Sequence, residues 1–397
     1  MLLFRRIIVI CLVLAILGLP ATSALADDLV AAPDTPHVAE VHPDVEQVQQ
    51  YNRAIHVMAM LLVGFGFLMV FVKKYGRSAL TATYLLVATA VPLYFLLSSS
   101  GVFGHAEGSD IKRLVLAEFA AASLLICAGA LLGRIRMWQY IVLGVLFVPC
   151  FKFNEWIVLD GGLGLVDPGS VMDTGGSVVI HAFGALFGLG AMLMLTTKKQ
   201  YETEIVADAT SDRYSLLGSM VLWVFWPSFC GALVAAGDVP HTAINVILAL
   251  CGSTLATYIA TVVLRRKISP ADIANAALAG GVAIGSTCDV EGFFVQAFFI
   301  GIGAGVLSTF GFAVIQDKLQ KLLKKTDTCG VLYLHGIPGL FGGLVALGCT
   351  KSPASQLLGI VISVGIALTA GVVIGKVLAL LGRHADSYND EAEFELD

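Results

Sequence analysis

Eleven stretches of about twenty mostly apolar residues, separated by short polar loops, decide what this chain can fold into, because a stretch of that length spans a bilayer. They start near Arg53, Ala79, Ile111, Trp138, Asp173, Tyr214, Pro240, Ala271, Phe293, Cys329 and Gln356. In hydrocarbon such a segment satisfies its backbone hydrogen bonds as a helix. The expected fold class is therefore an all-α polytopic membrane protein with eleven transmembrane helices. Charge agrees with this: 13% of the 397 residues are charged and 57% are hydrophobic, against about a quarter charged in a soluble domain. A net charge of −5 without a basic, aromatic-interleaved stripe gives no footing for nucleic acid as a partner. The partner that composition implies is the lipid bilayer.

The ends and loops orient the spans. "MLLFRRIIVICLVLAILGLPATSALA" has an arginine pair, a short apolar core and a small-residue ending. It reads as a signal peptide over 1–26, cut after Ala26, with an uncleaved first helix as the rival reading. Lysine and arginine gather after the odd-numbered spans: Lys73, Lys74 and Arg77; Arg134 and Arg136; Lys198, Lys199 and Arg213; Arg265, Arg266 and Lys267; Lys318, Lys321, Lys324 and Lys325. Basic loops stay in the cytoplasm, which puts the mature N-terminus outside a cell (inner or plasma) membrane and the C-terminus inside. The transmembrane domain is expected over 27–383. The remainder, 384–397, "HADSYNDEAEFELD", is an acidic cytoplasmic tail expected to be poorly ordered. The eight cysteines show no CxxC spacing, so neither a zinc site nor a disulfide framework is expected. Cys288 and Cys349 fall near outer helix ends, and a bridge between them is a minor alternative.

One phrase occurs twice. "DTGGSVVIHAFGALFG" begins at Asp173 and "DTCGVLYLHGIPGLFG" at Asp327. Each has His eight residues after the Asp and Leu-Phe-Gly starting five residues after the His. The first phrase opens span five and the second opens span ten, which cross in opposite directions. That is an inverted repeat, with halves at about 51–200 and 212–350 and an extra helix at about 356–382. Such folds place their site near the midplane where the halves meet. Eight residues of helix rise about 12 Å into a core about 30 Å thick, so His181 and His335 approach each other from opposite faces. Asp173 and Asp327 stand at helix N-termini, where a carboxylate caps free N–H groups and meets the positive end of the dipole. They read as structural acids with a secondary electrostatic effect on passing cations. A third intramembrane histidine, His56, is either a packing residue or part of the site.

A matched pair of ionisable residues inside spans marks a pathway. Two imidazoles can ligate a haem or metal, relay protons, or line a pore for a small solute that hydrogen-bonds to nitrogen. Two ligands are too few for structural zinc, and no cofactor is expected; a bis-histidine haem protein stays as a less favoured reading. With no G-x-S-x-G, no Walker A motif and no carboxylate pair at helical spacing inside a span, nothing points to an enzyme.

Several stretches carry a family resemblance: "HVMAMLLVGFGFLMVFVKKYG", "AEFAAASLLICAGALLGR", "FNEW", "LWVFWPSF", "NAALAGGVAIG" and the two repeated phrases. In this order, over nearly all of the mature chain, they resemble the ammonium transporter/Rhesus superfamily, and specifically its Rhesus (Rh) branch. The resemblance implies the ammonium-transporter fold and a homotrimer with one pore per subunit. It also implies passive conduction of NH3 from ammonia/ammonium, with methylammonium as an analogue and CO2 as the alternative solute. By position, His181 and His335 match paired pore histidines. Phe119 and Phe229 match two stacked phenylalanines that gate the outer mouth. Asp173 matches an acid near that mouth with Asp327 as its counterpart, and Glu155 matches an outer-vestibule acid. Leu233 and the Gly161-Gly162-Leu163 stretch stand where the other branch of the superfamily places a serine and a tryptophan around a cation. A tight outer cation site is thereby put in doubt. Leu332 stands where many Rh proteins carry a further histidine.

Overall fold

A computed structural model of the chain describes residues 43–104 and 108–395; the expected leader at 1–26 lies outside the described residues. Eleven long helical segments follow one another. They are α1 (Val45–Phe71, its first turn reaching back to Pro43), α2 (Lys73–Ser100), α3 (Asp110–Leu131), α4 (Met137–Val158) and α5 (Ser177–Leu195). Next come α6 (Ala209–Cys230), α7 (Val239–Arg265) and α8, in two pieces (Pro270–Ala276 and Ala279–Ile284). The last three are α9 (Phe294–Leu323), α10 (Leu332–Gly348) and α11 (Pro353–Leu380). Among the described residues, 8 are long and apolar enough to cross a membrane. The other three are α6, which opens on polar turns, the interrupted α8, and the short α10.

Most helices begin within a few residues of the expected starts. The exceptions have local causes. α1 starts earlier because the polar run before Arg53 continues the helix beyond the apolar stretch. α5 begins at Ser177 rather than Asp173, and α10 at Leu332 rather than Cys329, because a left-handed glycine precedes each: Gly176 at φ 70° and Gly330 at φ 69°. Only glycine enters that region without penalty, so each repeated phrase makes a turn before it makes a helix.

The two turns dock reciprocally. Gly175 N donates to Gly285 O, at the end of α8, at 2.8 Å, and Cys329 N donates to Gly129 O of α3 at 3.1 Å. α3 and α8 are the third helices of the two halves, so each phrase leans on the opposite half, as an inverted repeat requires. A Cβ at Gly339 of α10 would lie 2.3 Å from Ser177 O of α5. Only a glycine lets these two backbones approach so closely, and that approach brings the histidines together.

One expectation is corrected. The tail is docked, not loose. His384, Asp386, Ser387, Tyr388 and Asp390 all bond to the face that carries the basic loops, and a short helix, α12, spans Asp390–Glu393. Asp390 is buried and accepts from Arg77 N at 2.7 Å and Ser78 N at 3.1 Å, capping the first turn of α2. Buried Arg134 donates to Ser387 Oγ and to Gln200 O. Composition read this segment as solvated, but its acid and its tyrosine have specific partners. The minor alternative of a bridge is not seen: Cys288 and Cys349 are both free, and Cys288 neighbours Cys230.

Candidate functional site

The site begins with the two turns. Asp173 accepts from Val178 N and Val179 N and from the Ser286 hydroxyl at 2.6 Å. Asp327 accepts from Val331 N and Leu332 N, each at 3.1 Å. Both carboxylates thus satisfy backbone donors that a helix start leaves open, from within the turn rather than from the helix itself. The chain then enters a π-helical stretch, Ser177–Ala182 in one copy and Leu332–Gly336 in the other. His181 N bonds back five residues to Gly176 O at 2.9 Å. A π-turn rotates the residues after it, a distortion common where a side chain must be re-aimed.

The histidines are brought together. His181 Nδ1 and His335 Nδ1 lie 3.2 Å apart across 154 residues of sequence. Their rings are nearly coplanar in orientation, 7° between planes with centroids 5.3 Å apart. His181 is 2% exposed and His335 3%. A bond between two Nδ1 atoms needs one N–H donor and one bare nitrogen. The two rings therefore cannot both be imidazolium while they share it. His181 Nε2 is buried and meets no protein partner among the described residues.

Aromatic rings continue the line on both sides. Phe229 lies 5.9 Å from His181 between centroids, and Phe119 lies 4.6 Å from Phe229. The phenylalanines are tilted by 45° rather than stacked in parallel, and both are buried. Beyond them a cavity of about 240 Å³ is lined by Phe119, Glu155, Asp173, Thr174, Ile180 and Leu233, among others. On the other side Phe65 lies 6.1 Å from His335, and a cavity of about 20 Å³ touches Phe65, Leu125, Gly129 and His335. Space of that size holds about one molecule as small as water. The sequence-predicted residues thus fall into one column: vestibule, Phe119 and Phe229, His181, His335, then a narrow space toward the basic face. Asp327 supports the column from its turn, and Glu155 stands at the vestibule wall.

Three residues of this region escape a reading of the sequence alone. Trp226 packs beside His181 at 5.6 Å between centroids, 20° from parallel. It sits three residues before Phe229 in "WPSF", on nearly the same helix face, which is a signal a periodicity reading could use. Phe65 is visible in the sequence only as part of a glycine-rich apolar run. Lys152, buried in α4, forms an ion pair with Glu155 at 2.7 Å; an (i, i+3) pair of opposite charge inside an apolar helix is the available sign. His56 belongs to none of this. Its Nδ1 bonds Ser228 Oγ at 2.9 Å and its ring stacks on Phe225, which is the packing reading.

Comparison with known proteins shows the family. Residues 47–394 match the model of the Ammonium Transporter Family. The chain is 34% identical to the ammonium transporter Rh type C of Rattus norvegicus over 382 residues, covering 86% of this chain and 75% of that one. It is 36% identical to the ammonium transporter Rh type A of Mus musculus over 348 residues, covering 84% and 77%. Among solved structures it resembles Nitrosomonas europaea Rh50, reported with a mechanism of conduction by the Rhesus protein family of channels, at 50% identity and TM-score 0.86, covering 89% of this chain and 93% of that one. A sensor Amt protein at 19% identity and TM-score 0.73 shares the fold. Eleven helices in inverted halves, a matched histidine pair and these relatives together place the chain in the Ammonium Transporter Family, in its Rhesus branch.

Proposed function

We propose that this protein is an Rh-type ammonia channel that conducts NH3 passively and without net charge along the column past Phe119, Phe229, His181 and His335. The observation that carries this is the buried pair of imidazoles sharing one hydrogen bond. Ammonium is charged at neutral pH, as a lysine ammonium is, and moving a bare ion into an apolar site costs tens of kcal/mol. The neutral molecule has one acceptor lone pair and three donors, and needs only partners that both give and take hydrogen bonds. Two neutral imidazoles offer both. The phenylalanine faces attract the cation at the vestibule, worth about 0.5–2 kcal/mol, and the dry space beyond favours leaving its proton behind.

Orientation and assembly follow the same reading. The basic loops face the cytoplasm, the vestibule faces outward, and the chain works as a homotrimer in the cell membrane. CO2 fits an apolar column too, but needs no donor–acceptor pair. The space beside His335, about 20 Å³, suits a single small molecule and not a porphyrin. The test is stopped-flow pH measurement on proteoliposomes with imposed ammonium or bicarbonate gradients. His181→Ala with His335→Ala should lower the ammonia flux about 2- to 10-fold, the worth of one lost hydrogen bond to the solute. Unchanged flux in a folded double variant contradicts the proposal.

A further inference from the structure

Lys152 is the feature that the column leaves unused. It is buried inside α4, three residues before Glu155, where a charge is costly unless it is paired. Its Nζ donates to Glu155 Oε2 at 2.7 Å and to the Tyr94 hydroxyl oxygen at 3.0 Å, and it lies 5.0 Å from the centroid of the Tyr94 ring. The Tyr94 hydroxyl in turn donates to the same Oε2 at 2.6 Å. A carboxylate, a hydroxyl and an aromatic face are the partners that a free ammonium ion seeks. A lysine side chain ends in an alkylammonium group, so the cation the pocket already holds is a tethered relative of methylammonium.

The location gives this weight. Tyr94, Lys152 and Glu155 line a cavity of about 510 Å³, with Lys112, Arg113 and Asp160 also on its walls. Glu155 lines the vestibule as well, as do Leu116 and Leu159, so its carboxylate stands at the boundary of the two spaces. A cation fixed on the same helix acts at a high effective concentration, and a freely diffusing ion competes poorly with it.

We propose that Lys152 is a built-in ammonium group that occupies Glu155, so that this acid does not hold an incoming cation, and that removing the Lys152 charge turns the pocket into a binding site for small alkylammonium ions. The proposal rests on the ammonia-channel reading only for its choice of guest cation. Its test reads binding rather than flux, so either can fail without the other.

The experiment is thermal unfolding of the full chain in detergent, in methylammonium chloride against sodium chloride at equal ionic strength. Lys152→Met should unfold higher in saturating methylammonium than in sodium. The unsubstituted chain and Lys152→Met with Glu155→Gln should share one smaller difference between the salts, the part due to cation binding elsewhere in the vestibule. Lys152→Met should exceed both by about 2 °C. If Lys152→Met does not yield folded protein, Lys152→Gln keeps a polar group beside Tyr94 and Glu155 without the charge, and is read in the same way. An equal response in the unsubstituted chain, an equal response in the double variant, or no excess in a folded single variant overturns the proposal.

Discussion

Asp173 and Asp327 show how much of the site depends on carboxylates that hold the turns in front of α5 and α10. Asp173 holds two backbone N–H groups of α5 and a hydroxyl of the α8 end, all buried. Asp173→Ala strands those donors, and the expected loss of stability is about 2–4 kcal/mol. Asp173→Asn, which keeps one acceptor, should lose less; denaturation in detergent separates the two. Gly176→Ala adds a second cost. A side chain disfavours φ 70° by about 1–2 kcal/mol, and its Cβ would lie 2.3 Å from Ile180 Cδ1. At this scale the histidines and their acids were legible because one phrase stated them twice. Trp226 and Lys152 were not, since their meaning comes from partners far along the chain: Tyr94 is 58 residues from Lys152.

Among the elements, the helices themselves were readable and their irregularities were not. Apolar length predicts a span, but a π-turn leaves the composition unchanged and shifts only the register of the residues beyond it. The pieces of α8 and the short α10 were expected as ordinary helices for the same reason. The tail is the clearest case. It reads as an acidic solvated segment, yet Asp390 caps α2, and Tyr388 is buried with its N–H on Gly133 O at 2.8 Å. Asp390→Ala should cost about 1–2 kcal/mol, the usual loss of a cap, and truncation after Arg383 should cost more; both are checked by thermal unfolding. Burial, with Glu393 nearby, raises the Tyr388 phenol above its ordinary value. Because the folded value is the higher one, tail docking is unaffected below about pH 10 and weakens as pH rises beyond it. Limited proteolysis of the tail across that range reads the change.

For the whole molecule, the repeat was visible because one phrase occurs twice, far apart in sequence, and each copy docks on the opposite half, so one conclusion joined fold and site. What the chain alone left open was how closely the halves approach. That approach depends on contacts such as the one between Gly339 and Ser177 O, which no single-strand pattern encodes. At the centre of the described residues two buried imidazoles share one bond, with Phe229 and Trp226 packed beside His181 and Phe65 beside His335. The most direct measurement is simultaneous recording of current and internal pH in proteoliposomes under an ammonium gradient. Electroneutral conduction predicts a rapid alkaline shift with no current above that of empty liposomes. A current that scales with the ammonium flux contradicts it.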